Sequence, residues 1–258
     1  MTGSVAGVAL LEQFRQITLS GMEQVRLMNR MDTKYLLPVF LLPEIWSALT
    51  EEYDVLENAG TKVAAYETIY YDTPGNLFFR NHINGKLNRV KVRTRRYVES
   101  DLLFLEVKKK TNKGRTKKYR QLIDTASGEF PGEALQLVET FAATDFHALQ
   151  EVLHNRFDRV TLVNREMTER VTIDMNLRYS LPGGEEQITI PWLSVIEVKQ
   201  ERSSHSPMTE LLRRKRIRAM GFSKYCLGIS RLLPREKSNR YKRKIRTIEK
   251  ITQHGLTC

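Results

Sequence analysis

Cysteine is scarce: Cys226 and Cys258 are the only two in a chain of 258 residues. Two cysteines exclude a disulfide framework and cannot complete a zinc site by themselves, which suits a reducing compartment. Long apolar runs are missing as well, and no stretch approaches the roughly 20 residues a membrane-crossing helix needs. The apolar patch at 5–11 has no basic leader before it and meets Glu12 and Arg15 at once, so no secretory signal is expected. These absences predict a soluble cytoplasmic protein without a transmembrane segment, and they leave room for a membrane-bound partner. Histidine is also sparse. His82, His147, His154, His205 and His254 do not cluster at ligand spacing, and His82 reads as a surface residue of a polar loop. There is no Gly-rich nucleotide loop of the Walker or Rossmann kind and no His-Glu-x-x-His.

Positive charge is what the chain has in excess. Forty-two Lys and Arg oppose 30 Asp and Glu, a net charge of +12. That balance favours anionic partners, whether nucleic acid, phosphorylated small molecules or a membrane surface, without choosing among them. With 41% hydrophobic residues, the chain is also long enough to bury a real core.

The pattern divides the chain into a lead-in over 1–25 with a short helix up to Ser20, a principal domain over 26–232 and a basic tail over 233–258. Three segments read as amphipathic helices. One opens at Pro43 with Ile45, Trp46, Leu49 and Tyr53 on one face. A second spans about 133–157, with a break near Thr144. The third is capped by Ser206, places Met208, Leu211, Leu212, Lys215 and Ala219 on one stripe, and ends at Gly221. Strand-like runs cover 32–37, 66–72, 87–98, 102–110, 117–123, 170–175, 187–190 and 194–200. Turn signals at Thr73-Pro74-Gly75, Asn112-Lys113-Gly114 and Pro182-Gly183-Gly184 separate several of them. About eight strands with few helices between them predict an α+β protein built on an antiparallel barrel or sandwich.

Residues two apart in a strand share a face. Arg89, Lys91, Arg93 and Arg95 therefore oppose Val90, Val92 and Thr94. Glu106, Lys108 and Lys110 oppose Leu103, Leu105 and Val107, and Arg170, Thr172 and Asp174 oppose Val171, Ile173 and Met175. Glu197 and Lys199 oppose Ile196 and Val198, while Asp32 and Lys34 share a face near the start. An ordinary half-exposed sheet accounts for any one strand. It accounts poorly for the set, because four like charges spaced two apart repel unless an anion lies among them. A sheet closed with its charged face inward resolves this: helices cover the apolar outside, and closure removes the sheet edges. The lumen would then hold Lys34, Arg89, Lys91, Arg93, Arg95, Lys108, either Lys118 or Arg120, Arg170 and Lys199, against Asp32, Glu106, Asp174 and Glu197. Such an excess of enclosed cations calls for a polyphosphate ligand. The minority carboxylates would hold Mn²⁺ or Mg²⁺, which bridge carboxylate and phosphate oxygens.

Seven segments in order carry a family resemblance: Arg-x-Asp-x-Lys-Tyr from Arg30, Ile-Tyr-Tyr-Asp-Thr from Ile69, Arg-x-Lys-x-Arg-x-Arg-x-Tyr from Arg89, Leu-Glu-Val-Lys from Leu105, Arg-Val-Thr-Ile-Asp from Arg170, Ile-Glu-Val-Lys from Ile196 and Ser-Lys-Tyr-Cys from Ser223. In these the chain resembles the VTC domain, the polyphosphate polymerase domain of the vacuolar transporter chaperone complex, in a stand-alone bacterial form. That family belongs to the triphosphate tunnel metalloenzymes, related to CYTH domains. The resemblance implies a closed antiparallel tunnel barrel of about eight strands with helices outside, which binds ATP or another triphosphate together with polyphosphate and needs Mn²⁺ or Mg²⁺. It implies Lys34, Arg93, Arg95, Lys108, Arg170 and Lys224 as phosphate ligands and Glu197 as the metal carboxylate. Arg89, Lys91, Arg120 and Lys199 extend the phosphate-binding set, and Glu106, Asp174 and Asp32 extend the metal set. Arg93, Arg95, Arg170 and Glu197 form the expected catalytic group. Two positions depart from the family's pattern: Asp32 stands where Glu is usual, and Val163 where Tyr is common.

The implied activity is transfer of the terminal phosphoryl group of ATP to a growing polyphosphate chain. The alternatives are a triphosphatase that uses water as acceptor and a non-catalytic sensor of polyphosphate or nucleotide. No specific nucleic-acid partner is expected.

Overall fold

The computed structural model describes residues 9–22, 30–126, 130–184, 187–201, 205–233 and 239–253. His254, Cys258, the start of the lead-in and the expected domain boundary at residue 26 lie outside them. In chain order the elements are β1 (Arg15–Ile17), α1 (Leu19–Met22), β2 (Arg30–Pro38), α2 (Leu42–Ser47), β3 (Tyr53–Leu56), β4 (Ala64–Asp72), α3 (Leu77–Ile83), β5 (Arg89–Tyr97), β6 (Leu102–Lys110), β7 (Thr116–Leu122), α4 (Gly132–Ala142), β8 (Gln150–Asn164), β9 (Glu169–Ser180), β10 (Gln187–Ile190), β11 (Leu193–Glu201), α5 (Pro207–Arg214), α6 (Lys224–Leu232) and α7 (Asn239–Gln253).

Eight strands form one antiparallel sheet in the order β2-β11-β9-β8-β4-β5-β6-β7. Short strands β3 and β10 extend it beside β8 and β9, and β1 joins β3 in parallel. Register shifts at Tyr70/Tyr71 and at Arg156/Asp158 mark bulges, which bend a strand and deepen its twist. The sheet curls into a half-barrel that brings its far strands together: Lys108 of β6 is close enough to Glu197 and Lys34, on β11 and β2, to feel their charges. Among the described residues β2 and β7 do not pair, so the barrel expected from the sequence takes the form of a strongly curled eight-stranded half-barrel.

The alternation that defines the strands also divides the packing. On the outer face of one side, Tyr35, Leu37, Val160, Leu162, Val171, Ile173, Ile196 and Val198 pack under α2 and α5, with Trp46, Tyr53 and Met208 buried among them. On the other side Val90, Val92, Leu103, Leu105 and Val107 pack under α4 through Ala134 and Val138. Each such fully buried side chain contributes roughly 1.5–3 kcal/mol. The third cluster is not outside. Leu36, Tyr70, Leu153, Phe157 and Val195 sit on the concave side, where α6 buries Tyr225, Cys226, Leu227 and Ile229 against them. One end of the curl is thereby plugged by a helix, in addition to the helices packed outside as expected. Among the described residues no helix is long and apolar enough to cross a membrane.

Several boundaries differ from the sequence expectation. The segment read as a helix over 133–157 is helical only over Gly132–Ala142, where Ala143 turns left-handed at φ 54° and ends it. After a 3-10 turn at Phe146–Ala148 the chain enters the 15-residue strand β8. Its apolar residues fit either period, and the pairing with β4 and β9 decides. Tyr53 opens strand β3 and does not continue α2. The Ser206-capped helix stops at Arg214, and Arg216 at φ 58° leaves Ala219 to bridge to Tyr35 outside it. The lead-in contains a 3-10 turn at Leu11–Gln13, the strand β1 and only a short α1. The basic tail is helical over Asn239–Gln253 and packed, with Tyr241 and Ile248 buried beside α6.

Candidate functional site

Strand register places the charges of the concave face in rows. Glu197 of β11 lies opposite Lys34 of β2 and Thr172 of β9, and Lys199 lies opposite Asp32 and Arg170. Asp174 of β9 faces Arg159 of β8. On the other wall Arg93 of β5 faces Glu106 of β6, and Lys91 faces Lys108. The helix α6 adds Lys224 at its first position, where the Ser223 side chain caps the helix by accepting from the Cys226 amide.

Three carboxylates organise these cations, each clasped by two. Lys34 Nζ meets Glu197 Oε1 at 2.6 Å, and Lys199 Nζ lies 3.9 Å from its other oxygen. Arg93 meets Glu106 Oε2 at 2.6 Å, and Lys118 binds the second oxygen of Glu106, whose side chain is 1% exposed. Arg159 holds Asp174 in a two-pronged contact at 2.5 and 2.9 Å, and Lys224 shares that carboxylate. Burial pushes the Glu106 and Glu197 carboxyls up, but their cationic neighbours more than offset it and hold both well below the usual carboxylate range. Asp174 is lowered to about 2, because Arg159 and Lys224 outweigh its burial.

Carboxylates do not satisfy all the cations. Lys91 donates to Ser223 Oγ at 3.0 Å. Burial lowers its ammonium to about 7, and Lys108, Arg93 and Lys34 push in the same direction. Lys118 is lowered to about 7 and Lys199 and Lys224 to about 8, in each case mainly by burial and against the pull of the paired carboxylate. Arg95 is buried, donates weakly to Thr68 Oγ1 at 3.4 Å, and lies over the rings of Tyr66 and Phe157 at 5.6 and 5.8 Å. Tyr70 stacks on Tyr225 at 4.8 Å and borders Arg93.

Of the residues expected at the site, Lys34, Lys91, Arg93, Arg95, Lys108, Lys199, Lys224, Glu106, Asp174 and Glu197 converge on this concavity. Arg170 and Asp32 join it through Lys199, on which both act. Of Lys118 and Arg120, Lys118 completes the Glu106 pair, while Arg120 sits 4.8 Å over the Phe104 ring. Arg89 lies at the end of its row and donates to the Lys86 carbonyl at 2.7 Å. His82, read as a surface loop residue, instead lies on α3, half-buried beside Lys91 and Arg89. Burial and those two cations lower its imidazole to about 2. Arg159 is not among the expected residues, because the helix expected over 133–157 takes in the first half of its strand and 158–169 carry no expected element. The alternation of Asn155, Phe157, Arg159 and Thr161 is the signal that would have found it.

The four carboxylates expected to hold a metal do not form one group. Among the described residues no three His, Cys, Asp or Glu side chains gather as a metal-holding cluster. Glu106 and Asp174 stand apart, each inside its own pair of cations. Glu197 and Asp32 are the two hard donors that act on the same lysines, Lys108 and Lys199. They fit a divalent ion that takes one or two carboxylates and completes its shell with phosphate oxygens.

The model of one protein family, the VTC domain, matches residues 29–233. No curated protein matches the chain. Among solved structures, a candidate adenylate cyclase from Bacillus halodurans aligns over 80% of this chain and 97% of its own, at 14% identity and a TM-score of 0.51. A candidate adenylyl cyclase from Hippeastrum, described as having a dominant triphosphatase activity, aligns over 80% of this chain and 97% of its own at 17% identity and a TM-score of 0.49. A candidate adenylate cyclase from Vibrio parahaemolyticus covers 78% of this chain and 99% of its own at 13% identity and a TM-score of 0.47.

Proposed function

The chain belongs to the VTC domain family, and from that premise we propose that its cation-lined tunnel carries out metal-dependent phosphoryl transfer, passing the terminal phosphoryl group of ATP to a polyphosphate chain. The observation that carries this reading is the charge imbalance of the concave face. Ten cations, Lys34, Lys91, Arg93, Arg95, Lys108, Lys118, Arg159, Arg170, Lys199 and Lys224, share it with four carboxylates, Asp32, Glu106, Asp174 and Glu197. Enclosing such an excess is costly unless an anion neutralises it. The lowered ammonium groups of Lys91 and Lys118 are the mark of that cost. A chain of linked phosphates supplies several negative charges in a line, which matches cations distributed over every wall.

Phosphoryl transfer depends on in-line positioning and on charge neutralisation more than on covalent chemistry by the protein. Arg93 and Arg159 are held in register by their carboxylates and present planar guanidinium groups that suit two-pronged contact with phosphate oxygens. Arg95, with no carboxylate in direct contact, is a strong candidate for the transferring group's equatorial oxygens. Lys34, Lys108, Lys199 and Lys224 provide point charges from opposite sides. Glu197, with Asp32 beside it, would hold Mn²⁺ or Mg²⁺, which would supply Lewis-acid neutralisation of phosphate oxygens. The plug formed by α6 limits water at one end, which favours a phosphate acceptor over hydrolysis.

The test is incubation of the full chain with ATP and Mn²⁺, with polyphosphate and orthophosphate assayed separately, beside a Glu197→Gln variant. Polyphosphate formation that Glu197→Gln abolishes while ATP binding persists is the expected result. Orthophosphate alone assigns a triphosphatase. Binding of ATP without either product assigns a sensor and overturns the catalytic reading.

A further inference from the structure

The C-terminal helix α7 lies beyond the segment that matches the family, which ends at residue 233. It carries six cations, Arg240, Lys242, Arg243, Lys244, Arg246 and Lys250, and one carboxylate, Glu249. Glu249 is itself bonded to Arg231 of α6 at 2.8 Å. The cations stand where they weaken a helix. Arg240 and Lys242 occupy the first turn, at the positive end of the helix dipole, with Arg243 just after it. Arg240 and Lys244, Lys242 and Arg246, and Arg246 and Lys250 are like-charged neighbours four apart. The helix nevertheless has a fixed place, because Tyr241 and Ile248 are buried, with Ile245 and Ile251 packed against the same cluster.

That place is the outside of the end that α6 plugs, beside the start of α6. Tyr241 donates to the Ser223 carbonyl at 3.3 Å, and the Ser223 hydroxyl accepts from the luminal Lys91. Arg240 donates to the Asn84 carbonyl at 3.2 Å, next to the loop whose Lys86 carbonyl holds Arg89. The exposed cations of α7 thus start within one or two contacts of Arg89 and Lys91 and are spread along a helix about 22 Å long. We propose that this exposed face is a second anion-binding surface, which holds the part of a linear polyphosphate chain that extends past Lys91 and Arg89 alongside the α6 plug. The inference rests on the reading that the tunnel takes polyphosphate, and it adds a site that senses chain length.

The experiment measures binding of tripolyphosphate and of long-chain polyphosphate to the full chain, each across a salt series, for the parent and for Arg243→Gln/Arg246→Gln/Lys250→Gln. The expected result is tripolyphosphate affinity within twofold of the parent, with long-chain affinity reduced at least tenfold. The slope of log affinity against log salt should shrink by about two units, taking the roughly 0.7 per contact known for single-stranded polyanions. A charge-keeping triple variant, Arg243→Lys/Arg246→Lys with Lys250→Arg, should restore both, which excludes misfolding as the cause. An unchanged long-chain affinity and slope in the Gln variant, with tripolyphosphate still bound, overturns the inference and leaves the tunnel reading standing. Failure of the parent to bind tripolyphosphate overturns the tunnel reading and this inference with it. If single-stranded nucleic acid or vesicles with anionic lipid compete as well as long-chain polyphosphate, the surface is a general polyanion or membrane contact and the assignment is overturned.

Discussion

Replacing Glu106 with Gln isolates the physical claim on which the site rests. The substitution keeps the shape of the side chain and removes the one charge that Arg93 and Lys118 share. At an effective dielectric of 20, each attraction at contact is on the order of 4 kcal/mol, so roughly 8 kcal/mol of gross attraction disappears. Part returns, because the buried carboxylate no longer has to be desolvated, and removing one partner of a buried pair typically costs about 3–5 kcal/mol net. The Lys118 side chain is 36% exposed and can release its proton, so the lower end, about 3 kcal/mol, applies here. For a chain of this size that corresponds to a fall of roughly 6–12 °C in melting temperature. The variant should then respond more strongly to ligand than the parent. Tripolyphosphate would meet two cations no longer held by a carboxylate, so its stabilising increment, which scales with the logarithm of ligand over Kd, should exceed that of the parent at every concentration. Differential scanning fluorimetry with and without tripolyphosphate reads both quantities. A variant as stable as the parent, or one whose ligand increment is no larger, refutes the placement of Glu106 as the charge that Arg93 and Lys118 share.

Two further outcomes follow from the same structure. Lys91 and Lys118 are lowered to about 7 and Lys199 and Lys224 to about 8, so each binds its proton less tightly in the folded chain than in the unfolded one. The unfolded state therefore holds more protons above pH 7, and the ligand-free protein should gain stability from these groups as pH rises from 7 toward 10. Affinity for ATP should move the opposite way, falling by about a factor of ten or more per unit between pH 7 and 9 as the lysines lose the charge that pairs with phosphate. Calorimetry in buffers of different ionisation enthalpy should show proton uptake on binding, and a pH-independent affinity refutes the lysine contacts. In the fold itself, Gly228→Ala would place a Cβ at 2.6 Å from Leu153 Cδ2 and 2.7 Å from Tyr179 Cδ1, where α6 meets the concave face. The overpacking should cost about 1–3 kcal/mol by denaturant titration, and a neutral change would show that α6 is not seated there.

Most of the site was legible before the fold was known, because alternation is a local property. Arg89 through Arg95 and Lys108 share faces by backbone geometry alone, whatever the strands later pair with. The single-face charge of Asp32 and Lys34, and of Glu197 and Lys199, follows in the same way. Arg159 is legible only from the short alternation of Asn155 to Thr161, which competes with a helical period in Val152, Leu153, Phe157 and Val160. His82 was misjudged for a different reason. Its polar neighbours in sequence suggest solvent, but α3 turns it against Lys91 and Arg89.

What the chain order of residues decided is which side chains lie on the charged face, and that this face carries far more cation than anion. What only the folded sheet decided is which charges meet. The pairs Lys34–Glu197, Arg93–Glu106 and Arg159–Asp174 each come from register between strands, up to 163 positions apart in sequence for the first. Lys224 reaches Asp174 because a separate helix enters the curl. Periodicity acts over a few residues, whereas register, curl and the plugging of one end depend on the simultaneous burial of three apolar clusters, which no single segment contains.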